Sequence, residues 1–112
     1  MSKYMQITVK VSPHYPEDFD KTYPKLARHL GYLDEPLVRS NPSLYALASQ
    51  LDQLLYKFDG TKLREVLLRR QEKLKSLHQG IETELANWNL AAADRLLYTL
   101  EDVFDQIEAE LD

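Results

Sequence analysis

Across Tyr4 to Ser12, Met5, Ile7, Val9 and Val11 alternate with Gln6, Thr8 and Lys10. That two-residue period is the pattern of a half-buried β-strand. From Pro42 the period lengthens. Leu44, Leu47, Ala48, Leu51, Leu54, Leu55 and Phe58 recur three and four residues apart, which predicts a helix ended by Asp59-Gly60. Beyond Thr61, the series Leu63, Leu67, Leu74, Leu77, Ile81 and Leu85 approaches a heptad seam and predicts one long helix, with Arg70 interrupting an inward position. After Asn87-Trp88-Asn89 a last stripe runs through Ala93, Leu96, Leu97, Leu100, Val103, Phe104, Ile107 and Leu111. The last two helices are expected to fold back as an antiparallel hairpin.

Between strand and helices, punctuation is by proline. Pro13 and Pro16 stop the strand, Pro16-Glu17-Asp18-Phe19 opens a short helix, and Pro24 divides that helix before Gly31. Tyr32 to Asn41 lacks periodicity and reads as a loop marked by Pro36. The expected fold class is therefore mainly α. One N-terminal β-strand (residues 4–12) leads into short helices and a loop (16–58) and a long C-terminal helical hairpin (61–112), all in a single domain over residues 1–112. A lone strand leaves its backbone groups unpaired, so its partner is expected from elsewhere, including another chain.

Charge sharpens the picture of the hairpin. Residues 61–80 hold six basic and two acidic side chains, whereas 81–112 hold nine acidic and one basic. Folding back about Trp88 is expected to set Arg69, Arg70 and Lys73 opposite Asp102, Asp105 and Glu108. Each exposed pair contributes about 0.2–1 kcal/mol, enough to select a register but not to hold the fold. Trp88 itself is read as a plug for the turn, with an exposed anchor as the alternative.

Few residues offer chemistry. The chain has no cysteine, three scattered histidines and three isolated glycines, which removes thiol chemistry and phosphate-cradling loops. His78 and Glu82 share a helix face, but two ligands rarely hold a metal. No serine stands in a nucleophile elbow, and the acidic face of the last helix (Glu101, Asp105, Glu108) reads as a solvated, charge-paired face. We therefore expect no enzyme, no catalytic residue, no metal, no cofactor and no small-molecule substrate. The absence of an apolar stretch near 20 residues argues against a membrane span, and the N-terminal residues lack a secretory core, so a cytoplasmic location is expected.

Six of seven tyrosines lie in the first 60 residues. Tyrosine suits half-buried contact surfaces, which makes Tyr4, Tyr15, Tyr23 and Tyr32 the candidate protein interface. The alternative is that they pack the N-terminal segments onto the helices. The first functional reading is thus a non-enzymatic interaction or assembly module, an adaptor or small subunit with a protein partner or self-association.

A second reading rests on Gln6-x-Thr8-x-Lys10 followed by Ser12-Pro13 and two helices, an order that resembles the ribbon-helix-helix DNA-binding family over residues 4–58. The resemblance implies a dimer whose paired strands enter the major groove, with Gln6, Thr8 and Lys10 reading bases and Ser40 to Ser43 approaching phosphate. A regulator or antitoxin would follow. The sequence departs from that family in its long connection from Gly31 to Asn41, in Pro24, and in an N-terminal half of zero net charge.

Overall fold

A computed structural model describes residues 9–112, and among them every regular element is helical. The helices are α1 (Phe19–Thr22), α2 (Pro24–Gly31), α3 (Glu35–Arg39), α4 (Leu44–Ser49), α5 (Leu51–Lys57), α6 (Lys62–Arg69), α7 (Gln71–Ala86) and α8 (Leu90–Glu110). The expected β-strand is corrected. Its described part, Val9 to Ser12, has no regular structure, and no other described segment is extended to pair with it. An alternating pattern states only which side chains prefer burial; a ladder also requires a neighbour for its backbone groups. The rest of that expectation, Tyr4 to Thr8, lies outside the described residues.

The hairpin expected at the C-terminus is present as α7 and α8, the most extensively packed pair of helices. Leu74 and Ile81 of α7 meet Leu100 and Ile107 of α8 in the fully buried core. At Gly80 an added Cβ would stand 3.1 Å from Leu96 Cδ1, so the missing side chain lets the two helices close up. α4 packs on both helices of the hairpin, while α2 and α6 cover the far half of α8. Phe19, Leu26, Leu30, Phe58 and Leu63 extend the same core to the N-terminal half. The molecule measures 49 × 26 × 26 Å.

Three expected elements differ in detail. The loop containing Pro36 holds α3, because proline in a first turn lacks only an amide that would have no partner anyway. Asp34 Oδ1 accepts from Leu37 N at 3.2 Å and caps it. The helix expected over 42–58 is split at Gln50, where the Ser49 hydroxyl and the Gln50 amide both donate to Ala46 O and compete with the backbone ladder. The long helix from Thr61 breaks at Arg70. A continuous stripe would carry Arg70 inward as an unpaired charge; the bend lets its guanidinium reach Glu110 instead.

The register of charges also differs. Arg69 and Arg70 pair with Glu110 at the end of α8, not with Asp102, Asp105 and Glu108. Glu108 serves α2: its carboxylate accepts from Lys25 N at 2.6 Å and Leu26 N at 2.9 Å. α2 has no side-chain cap of its own, so an acidic residue 82 positions away supplies what the positive end of the helix requires.

Candidate functional site

The α7–α8 turn brings an unusual residue to the surface. Trp88 N donates to Leu85 O at 3.0 Å and Asn89 N to Glu84 O at 2.8 Å, the paired bonds that close a helix through a left-handed residue. That residue is ordinarily glycine. Here it is Trp88, with φ of +56° and 55% of its surface exposed. The expectation of a plug is corrected in favour of its alternative: the indole stands out of the turn, and Leu90 (49%) and Tyr98 (62%) of α8 are exposed as well.

Beside Trp88 and Tyr98 the N-terminal segment borders two adjoining hollows. One, of about 380 Å³, is lined by Tyr15, Tyr23, Tyr45 and Tyr98 together with Asp94 and Glu101. The other, of about 570 Å³, runs past Val9, Lys10, Leu85 and Ala86 to Trp88. Val11, Ser43 and Tyr45 line both, so the two hollows adjoin along one groove wall. Asp94, Tyr98 and Glu101 come from successive turns of α8, and Ser43 caps α4 by accepting from Ala46 N at 3.0 Å, which fixes Tyr45 two residues on.

Three phenol hydroxyls on this groove are committed. Tyr15 donates to Pro42 O, Tyr23 to Asp105 Oδ1 at 3.0 Å, and Tyr45 to Glu82 Oε1 at 2.7 Å. The Tyr45 ring also stacks on His78 with centroids 4.9 Å apart. These attachments hold the rings in place. Burial, with the charge of Glu101 in second place, pushes the Tyr15 phenol up to about 12. Burial and the bond to Glu82 push Tyr45 up to about 12. Burial first, then Asp105, raises Tyr23 further. Glu101 is itself raised above the ordinary carboxylate range, by desolvation first and then by Asp105, Asp102 and Asp94. The face of α8 is therefore a crowded anionic field.

The tyrosines expected at an interface are distributed differently from one another. Tyr23 is buried and Tyr15 half-buried, each bonded to another part of the chain, so both hold the N-terminal segment to the bundle. Tyr32 is 79% exposed at the end of α2, away from the lining of the groove. Tyr4, Gln6 and Thr8 lie outside the described residues, and Lys10 is exposed on the wall of the second hollow. The pair His78 and Glu82 approaches to 3.4 Å, and among the described residues no three His, Asp or Glu side chains gather as metal ligands. No described helix is long and apolar enough to cross a membrane.

Sequence reasoning passed over Tyr98, Asp94 and Tyr45 as site residues. A signal was present: Asp94, Tyr98, Glu101, Asp105 and Glu108 fall at helical spacing on one face of α8. Compared with known proteins, the chain matches no family model, no curated protein and no solved structure.

Proposed function

We propose that this protein is a non-enzymatic interaction module, an adaptor or small subunit that docks another protein at the α7–α8 turn. One observation carries the reading: a tryptophan occupies a left-handed turn position that glycine fills at lower cost, and presents more than half of its surface to solvent. Both features lower the stability of the isolated chain. A large aromatic at a surface turn is the residue type that most often anchors an interface. Leu90 and Tyr98 add exposed apolar surface on α8, and Trp88 and Tyr98 each border one of the two hollows.

The ribbon-helix-helix alternative, a DNA-binding regulator or antitoxin, has no observation among the described residues in its favour. A test of the docking reading is site-specific photo-crosslinking. With benzoylphenylalanine at position 88, one discrete adduct with another protein is expected, and none with the same group at exposed Glu72 on α7. Equal labelling from both positions, or none from position 88, would refute it.

A further inference from the structure

Asp94 and Glu101 make no ion pair among the described residues, while every other wall of their hollow is neutral, aromatic or imidazole. Among the described residues no lysine or arginine lines it. Four tyrosines line the hollow with these carboxylates, and three of them are anchored by donating their hydroxyl protons within the chain. Those three oxygens keep acceptor lone pairs, so the hollow offers a ligand acceptors, ring surface and negative charge. Aromatic faces carry negative potential and attract cations, most strongly where water is partly excluded. Fixed rings also bind without a further ordering cost.

From this complementarity we infer that the hollow is a socket for a cationic side chain, lysine or arginine, of a basic peptide segment that lies along the groove toward Trp88. The inference rests on the interaction-module reading and names the chemistry of its partner. A peptide fits better than a free amine because the hollow does not end at the socket. Across Val11, Ser43 and Tyr45 it adjoins the second hollow, where Leu85, Ala86 and Trp88 stand beside Lys10 and Glu82, giving neighbouring residues of an extended segment somewhere to rest. The crowded carboxylates of α8 agree with this: Glu101 is raised by desolvation first and then by Asp105, Asp102 and Asp94, and a bound ammonium or guanidinium relieves the part that is repulsion.

The test is an NMR titration of the full chain with the blocked pentapeptide Leu-Ala-Lys-Ala-Leu and its norleucine counterpart, which keeps the aliphatic shaft and removes the charge. The lysine peptide is expected to shift Tyr45, Tyr98 and Glu101 and to bind about tenfold more tightly than the norleucine peptide. Its affinity should fall with added salt. Glu101→Gln, at an exposed position that leaves the core untouched, is expected to weaken the lysine peptide about three- to tenfold and leave the norleucine peptide unchanged. Equal binding of both peptides, or no shift at these residues, overturns the socket. So does n-butylammonium binding as tightly as the peptide, which would assign the site to free amines. The same shifts on raising protein concentration alone would assign the groove to a second copy and overturn it too. A chain that binds neither peptide but keeps its position-88 adduct loses the socket and retains the docking module.

Discussion

Replacing Trp88 by alanine and by glycine separates the cost of its backbone from the value of its ring. Both variants lose the indole, so whatever packing the half-exposed ring contributes cancels in the comparison. They differ in the turn. At φ of +56° an alanine keeps the clash between Cβ and its own backbone, worth about 1–2 kcal/mol, whereas glycine has none. Glycine also loses more freedom on folding, about 0.4–1 kcal/mol. Trp88→Gly should therefore be more stable than Trp88→Ala by about 1 kcal/mol, or about 4 °C in Tm for a chain of this size. Urea and thermal unfolding followed by circular dichroism measure it. The same pair of substitutions at Ser76, exposed in the middle of α7, supplies the control, because there alanine should win by about 1 kcal/mol. Alanine winning at both positions would mean that residue 88 is not held left-handed, and the argument for a costly, selected tryptophan would fall.

Other predictions follow from the α8 face. Glu108→Ala removes the remote cap of α2 and should cost about 1–2 kcal/mol, read as a lower urea midpoint; no change would mean that water replaces the carboxylate without loss. Tyr15 and Tyr45 stay protonated in the folded chain up to about 12, so the stability they contribute is present below about 10 and lost as pH rises through about 12. Phenolate absorbance during alkaline titration should show late-ionising groups, one fewer in Tyr45→Phe. Glu101 has its folded pKa raised, so its contribution is fully present in acid below the unfolded pKa and lost as pH rises through the folded one. Glu101→Gln should thus raise the urea midpoint at neutral pH and leave it unchanged in acid; a lower midpoint at neutral pH would show that Glu101 has a cationic partner.

Helix periodicity was legible wherever burial is one-sided and long. The stripes of α7 and α8 identified the hairpin and most of its buried residues, from Leu74 to Ile107, because a three-and-four spacing puts one face of a helix against its neighbours. Short elements were less legible. Pro36 marks a loop and a first helical turn equally well, and only the Asp34 cap decides between them. Breaks at Gln50 and Arg70 depend on competing side-chain bonds and on a distant Glu110, neither of which periodicity encodes. The alternation before Pro13 described preference for burial without supplying a neighbour, so the described part of that segment lies irregularly along the groove.

The charge pattern was visible and its partners were misassigned, and the reason bears on function. Opposite charges on consecutive helices suggest mutual neutralisation, but exposed pairs are worth too little to dictate register against a buried apolar seam. Once Leu74, Ile81, Leu100 and Ile107 fix how α7 meets α8, Arg69 and Arg70 come level with Glu110 alone. The remaining acids must find other work. Glu108 caps α2 and Asp105 anchors Tyr23, each reaching the N-terminal half of the chain. Asp94 and Glu101 have no such use among the described residues, and they are the two carboxylates that face the aromatic hollow. An anionic pair left over by the packing, ringed by immobilised tyrosines and adjoining an exposed tryptophan, has a physical reason to attract a cation from outside the chain.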